Sequence, residues 1–340
     1  YEIHERLVGS EMCIRDSVCG GDLMSKIYTV YKDTRNMSRA EWLAARKAGI
    51  GGSDAAAIIG LNPFSSPLTV WADKTSTDEP QEESESEAIW LGNVLEDHVA
   101  RRYAEESGLN IVRCNQMMQS IEHPFMLANI DRRVKGKRIG VEIKTTSSFT
   151  KTDFAGGDVN PWYYAQCMHY LAVTGWDEWK LVVLVIGRGL YTYSFKRREN
   201  EDQIKALISA EDYFWREYVL QGKCPPVDGS KAADEILSKR YPVSDGSTIT
   251  LDCDDAISQY MTLTSKIKEL EGDKALYEQR IKECMGESER GESANYIVSW
   301  KNSSPRKTID TKRLTEEHPE IVDRYIKIGA PTRRFMVKEA

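Results

Sequence analysis

The sequence predicts a mixed α/β fold, in which a central sheet carries helices on its faces and one long helix with short β segments extends the C-terminus. Three observations predict it. Runs rich in β-branched and aromatic residues, such as LVVLVI at 181–186 and LYTYSF at 190–195, have the length of strands. Stretches with apolar residues three and four apart, opened by cap residues and closed by glycine, read as helices. The two kinds of segment are interleaved along the chain, which suits a mixed sheet with helices on its faces.

Residues 1–23 have no periodicity in common with the rest of the chain and lack the positive start and apolar core of a secretory signal. They resemble a translated sequencing adapter, so the native chain is expected to start at Met24. At 38–49, Ser38 and Glu41 form a capping box ahead of a helix that stops at Gly49. The glycine-rich stretch 50–64 predicts a turn and then a short helix capped by Ser53 and closed by Gly60. Residues 88–108 place Leu91, Val94, Leu95, Val99 and Tyr103 at helical spacing. Strands near 111–119, a β-hairpin over 125–145 and a helix over 162–175 come next. Two strands, 179–187 and 190–195, then lead into a helix over 201–222. PPVDGS at 225–230 reads as a boundary. Beyond it Tyr260, Leu263, Ile267, Leu270, Tyr277, Ile281 and Cys284 keep a 3–4 spacing broken by Lys274, the pattern of a long helix that needs a partner surface. Residues 296–301 and 333–338 read as strands.

Composition excludes some classes. At 340 residues, 41% hydrophobic and 29% charged, the chain is an ordinary globular protein with room for two domains. No apolar run approaches the ~18 residues of a membrane span. The seven cysteines lie apart, without a C-x-x-C pair, which argues against a disulfide framework, structural zinc or an iron–sulfur cluster and for a reducing cytoplasm. A net charge of −7 does not announce a nucleic-acid binder. The acids of 78–87 account for much of it, and basic clusters at 132–138 and 196–198 remain as local patches.

The chemistry points to the hairpin. In IGVEIKTTSS at 139–148, Glu142 and Lys144 face one side of a strand while Val141, Ile143 and Thr145 face the other. A two-residue type II′ loop at Gly136-Lys137 would pair positions that sum to 273 and set Asp131 directly across from Glu142. Opposed like charges destabilise a sheet unless something compensates them. A divalent cation compensates, since Mg²⁺ takes one or two carboxylates together with water and phosphate oxygens. Lys144 is within reach of the same point, where it can polarise a phosphate or orient a water. An edge strand with a mixed-charge face is the plain alternative.

Asp131 followed by Glu142-Ile143-Lys144 resembles the PD-(D/E)xK nuclease motif. Glu96 on the preceding helix resembles the helical carboxylate of that superfamily, and Gln166 with Tyr170 resembles the Q-x-x-x-Y signature of its RecB-like branch. Over about residues 35–222 the chain is similar to the phage lambda exonuclease family, specifically the YqaJ-like viral recombinases. Arg46 and Ser53 resemble the residues with which that family holds the 5′-phosphate of a DNA end, and glycines at 51 and 52 put free N–H groups beside Ser53. The C-terminal extension departs from the simplest members.

The resemblance implies a restriction-endonuclease-like core in a nuclease domain over 24–228, with 229–340 as an accessory region. It implies a Mg²⁺-dependent 5′-to-3′ exonuclease on linear duplex DNA, with Mn²⁺ able to substitute, leaving 3′ single strands for an annealing protein. Asp131, Glu142, Lys144 and Gln166 would be catalytic, and the metal would be held by Asp131, Glu142, the carbonyl of Ile143 and Glu96. Arg46, Ser53 and Tyr170 would contact DNA. A homotrimer, and the cytoplasm of a bacterium carrying a phage or prophage, are implied by the family alone. A structure-specific endonuclease on the same fold and a vestigial DNA-end-binding module are the rival readings.

Overall fold

The computed structural model describes residues 27–77, 86–149, 151–327, 329 and 332–338. The adapter-like stretch 1–23 and most of the acidic stretch lie outside the described residues. The chain divides into two compact units, one running to Lys239 and the other beginning at Arg240.

The first unit opens with β1 (Tyr28–Asp33), α1 (Arg39–Arg46), α2 (Gly52–Ile58), α3 (Pro67–Thr75) and α4 (Glu87–Ser107). It continues through β2 (Ile111–Arg113), β3 (Gln116–Ser120), β4 (Leu127–Asn129), β5 (Arg132–Val134), β6 (Ile139–Thr146) and α5 (Pro161–Thr174). It closes with β7 (Glu178–Val185), β8 (Gly189–Lys196), α6 (Glu201–Phe214) and all but the last residue of α7 (Lys231–Arg240). The mixed α/β class and the interleaved order are as the sequence predicts.

Five strands form the main sheet in the order β2-β5-β6-β7-β8. β6 and β7 run parallel and the other neighbours antiparallel. A parallel pair needs a crossover, and α5 supplies it. β1, β3 and β4 make a second, antiparallel sheet.

Both faces of the main sheet are covered, which explains the nearly continuous apolar run in β7. Trp179, Leu181 and Val183 pack with Met168 and Leu171 of α5, whereas Val182 joins Val141 and Ile143 of β6 against Val99 and Tyr103 of α4. Alternation along β6 therefore turns Glu142 away from the α4 side and toward α5.

Several local expectations are corrected. The hairpin register holds, with Arg132 opposite Val141 and Arg133 opposite Gly140, but the turn is different. The N–H of Lys137 donates to the carbonyl of Val134 and Gly136 has φ +74°, so glycine occupies the second central position, where a type II turn needs a positive φ. Ser53 does not cap α2. Gly51 is the N-cap, its N–H donating to Asp54 Oδ2 at 2.9 Å, and Ser53 lies inside the first turn. The segment 111–119 is two strands in different sheets. α6 passes into a π-helical turn at Trp215–Leu220 instead of running on as α-helix. β1 and α3 were not expected, although Ser66 caps α3 and Pro67 starts it in the ordinary way.

The second unit contains α8 (Asp254–Met285), the hairpin strands β9 (Arg290–Glu292) and β10 (Ile297–Ser299), and the short helices α9 (Thr311–Glu317) and α10 (Pro319–Tyr325). α8 is the long helix that the 3–4 spacing predicts, and none of its residues is buried. Residues 333–338 form no strand. Without a paired neighbour their backbone has no ladder to join, and the Phe335 ring instead meets Tyr260 edge-on at 5.6 Å.

α2 lies very close to α5. A Cβ on Gly52 would fall 2.7 Å from ring atoms of Tyr170 and 3.0 Å from Gln166 Cγ. Gly52→Ala should therefore lower unfolding free energy by about 1–3 kcal/mol through overpacking. Urea denaturation of the two proteins, with equal m-values, checks this.

Candidate active site

The hairpin brings Asp131 and Glu142 together. Asp131 immediately precedes β5, and its Oδ2 accepts the main-chain N–H of Ile143 at 3.1 Å. Glu142 sits mid-strand on β6 and is 2% exposed. Its Oε1 accepts from Lys144 Nζ at 2.6 Å and from Gln166 Nε2 at 2.7 Å. A carboxylate can only accept, so the amide nitrogen of Gln166 must face it. The second hydrogen of that nitrogen goes to the Tyr170 hydroxyl at 2.8 Å, which in turn donates to the carbonyl of Asn129 at 3.0 Å. This chain fixes Oε1 and leaves Oε2, which is buried and has no hydrogen-bond partner.

Electrostatics at the pair follow from that geometry. Burial and the neighbouring Glu142 charge push the Asp131 carboxyl up to about 7, against the pull of Lys144. Burial would lower Lys144, but Glu142 and Asp131 hold its ammonium well above the usual lysine range. Lys144 is thus held as a charged donor beside the carboxylate pair. Its Nζ also lies 5.6 Å from the centre of the Tyr163 ring.

Glu96 arrives from α4. Its Oε1 is 2.8 Å from Arg132 Nη1, and Arg132 also pairs with Asp97. Burial and the Asp131 charge raise the Glu96 carboxyl above its usual range, with Arg132 opposing.

Arg46 and Ser53 stand on the other side of the same cleft. The Ile50 N–H donates to the Phe125 carbonyl at 2.6 Å and the Ile50 carbonyl accepts from Leu127 at 2.8 Å, so the turn between α1 and α2 is stitched to β4. Arg46 Nη2 then donates to Ser53 Oγ at 2.7 Å, and its guanidinium lies 4.7 Å from the ring centre of Trp42 one helical turn earlier.

One cleft of ≈ 400 Å³ is lined by every residue that the sequence nominated: Arg46, Ser53, Glu96, Asp131, Glu142, Ile143, Lys144, Gln166 and Tyr170. Among the described residues no group of three or more His, Cys, Asp or Glu side chains could hold a metal ion. The donor set that does fit a hard cation is smaller: the orphaned Oε2 of Glu142, the Asp131 carboxylate and the Ile143 carbonyl, with solvent and substrate oxygens completing the shell. Glu96 is tied to Arg132 in this arrangement.

The family model of the YqaJ-like viral recombinase domain matches residues 41–177. The uncharacterized protein YqaJ of Bacillus subtilis (strain 168) is 36% identical over 321 residues, which cover 93% of this chain and 99% of that protein. The chain belongs to the YqaJ-like viral recombinase family. It is also similar to the solved structure of an alkaline exonuclease (LHK-Exo) from Laribacter hongkongensis, at 18% identity and a TM-score of 0.41 over 60% of this chain and 99% of that one. A phage related exonuclease from Haemophilus somnus 129PT gives 16% identity and a TM-score of 0.39, over 51% and 96%.

Within this YqaJ-like domain, some site residues escaped the sequence reading. Trp42 precedes Arg46 by four positions on one helix, and that spacing was a usable signal. Asn129, whose carbonyl anchors Tyr170, gave none, because its role depends on where β4 lies beside α5. Arg132 was read only as part of a basic cluster, although its side chain is 5% exposed and ties Glu96 to the hairpin.

The raised Asp131 carboxyl has a measurable consequence. Its folded-state value of about 7 exceeds the ordinary 3.8, so the folded protein holds this proton more tightly and its contribution to stability is lost as pH rises through that window. In chelator, Asp131→Asn should gain stability over wild type progressively as pH rises from about 4 to about 7, with a constant margin above. Denaturant titrations at several pH values check it. A margin that does not change with pH would remove the repulsion from the account.

Proposed function

We propose that this chain is a Mg²⁺-dependent exonuclease that degrades linear duplex DNA from its 5′ ends and leaves 3′ single strands. The observation that carries the reading is the orphaned, buried Oε2 of Glu142 beside Asp131, in the same cleft as Arg46 and Ser53. It combines a cation-seeking carboxylate pair with a cationic receiver for a terminal phosphate.

Asp131, Glu142 and the Ile143 carbonyl would hold the cation. When bound, it would stabilise charge on the scissile phosphate and lower the pKa of a nearby water. The rest is done by protein groups. Lys144, charged and fixed to Glu142, donates toward that phosphate or orients the attacking water. Gln166 clamps Oε1 of Glu142 and leaves Oε2 for the cation, and Tyr170, whose hydroxyl is spent on Gln166 and Asn129, clamps Gln166 in place of the DNA contact expected of it. Glu96, paired with Arg132 in this structure, is the third carboxylate of the site and would help to hold the cation. Arg46 presents a planar fork to the terminal 5′-phosphate with Ser53 as a second donor, and lysine could not copy that fork.

Mn²⁺ would substitute for Mg²⁺ at such an oxygen-rich site. A single-strand annealing protein would take up the 3′ strands, and a homotrimer enclosing the duplex would give processivity. Among the described residues no helix is long and apolar enough to cross a membrane; work on DNA in a bacterial cytoplasm is what the family reading implies. Residues 24–228 would carry the chemistry and 229–340 would serve assembly.

End-labelled linear duplex and a sealed circle, each with Mg²⁺ or chelator, test the reading on one gel. Loss of the linear duplex with Mg²⁺, protection by chelator and an intact circle are expected. Cutting of the circle would instead support an endonuclease, and no cutting of either would support an end-binding module. Arg46→Ala should erase most of the preference for a 5′-phosphorylated over a 5′-hydroxyl end. Losing a charged hydrogen bond of ~1.5–3 kcal/mol slows digestion by roughly ten- to a hundredfold.

A further inference from the structure

The cationic receiver has an anion built into it. Asp54 Oδ1 is 3.7 Å from Arg46 Nη2, and Asp54 Oδ2 accepts the Gly51 N–H at 2.9 Å. A carboxylate so placed competes for the guanidinium and repels a terminal phosphate. Twenty positions along the chain, α3 delivers Lys74 to the far side of that carboxylate. Lys74 Nζ is 2.9 Å from Asp54 Oδ2 and 3.2 Å from Asp73 Oδ2, and it donates to the Arg46 carbonyl at 3.2 Å. Its side chain is 1% exposed, so all three ammonium hydrogens are spent inside the protein and none is left for DNA.

We infer that Lys74 is a positioning residue for 5′-end recognition: by neutralising Asp54 and holding the Arg46 backbone, it keeps the Arg46 guanidinium available to a terminal phosphate. The inference rests on the end-receiving role given to Arg46 above. Asp54 agrees with it: burial alone would raise this carboxyl, yet the Lys74 and Arg46 charges hold it below the usual range. Without Lys74, the half-buried carboxylate has Arg46 as its remaining strong counter-charge, and the guanidinium swings from phosphate to Asp54. The bland alternative is that Lys74 only staples α3 to α1 and α2.

The two readings separate in a double-mutant cycle read by end preference, defined as kcat/KM on a 5′-phosphorylated duplex over kcat/KM on the same duplex with a 5′-hydroxyl. Lys74→Met should lower that ratio by at least roughly fivefold, part of the ten- to hundredfold that complete loss of the Arg46 hydrogen bond would cost, mainly through KM on phosphorylated ends. Asp54→Asn in the Lys74→Met background should restore the ratio to within about twofold of wild type, because no uncompensated carboxylate remains to capture Arg46. A simple staple predicts no such recovery. A Lys74→Met protein with the wild-type ratio, or a double variant no better than Lys74→Met, overturns the inference. If Lys74→Met does not fold, Asp54→Asn alone decides: a ratio at or above wild type is expected, and a lower one overturns the inference. A wild-type ratio of one would overturn the end-receiving role and this inference together, whereas a high wild-type ratio that Lys74→Met leaves intact overturns this inference alone.

Discussion

The structure of the first unit is organised around two carboxylates that the β5/β6 pairing forces together. Asp131 and Glu142 meet because the hairpin register brings them together, and they meet at the wall of the cleft, Glu142 buried and Asp131 half-buried. A folded chain keeps such a repulsion only where the surroundings over-determine it. Here the surroundings are visible. Lys144 and Gln166 both bind Oε1 of Glu142, the Ile143 N–H binds Asp131, and Arg132 ties Glu96 of α4 to the start of the hairpin. The packing on both faces of β6 and β7 explains why the pair cannot relax. α4 closes one side through Val99 and Tyr103, and α5 closes the other through Met168 and Leu171. What remains is a cleft lined by both carboxylates and one buried Glu142 oxygen without a hydrogen-bond partner.

The cleft wall around Arg46 obeys a similar logic at lower cost. It is held by main chain: Ile50 is paired with the Phe125–Leu127 segment, so the turn between α1 and α2 moves with β4 and thus with the carbonyl that anchors Tyr170. The Arg46–Ser53 wall and the carboxylate pair are parts of one frame, which would suit the proposed exonuclease, since it must place a scissile bond at a fixed distance from a chain end. The overall charge of −7 hides this local arrangement of cations, which is why it says little about the substrate.

Much of this was legible in the sequence wherever local periodicity decides structure. The period of two along 139–146 put Glu142 and Lys144 on one face, and a loop centred on the 136–137 region set the register. The turn type of the same loop is not fixed by sequence, because one glycine can serve either central position and only the neighbouring φ angles choose. Ser53 was read as a cap on residue type, but Gly51 and Asp54 share that task and release its hydroxyl to Arg46. Lys74 was invisible, since nothing in 67–75 marks a lysine whose partners lie in α1 and α2. The strand expected at 333–338 failed because apolar spacing describes a side-chain pattern and not the neighbour a strand requires. α3 could have been found from Ser66 and Pro67.

The central claim is that the Asp131–Glu142 pair is a cation site, and direct binding tests it without relying on catalysis. Mn²⁺ titrated into the full chain without DNA, monitored by the loss of the free-ion electron paramagnetic resonance signal, reports occupancy. Wild-type protein should bind Mn²⁺, Mg²⁺ should displace it, and Glu142→Gln should abolish the binding while the protein stays folded by circular dichroism. Retention of wild-type Mn²⁺ affinity in folded Glu142→Gln would contradict the account.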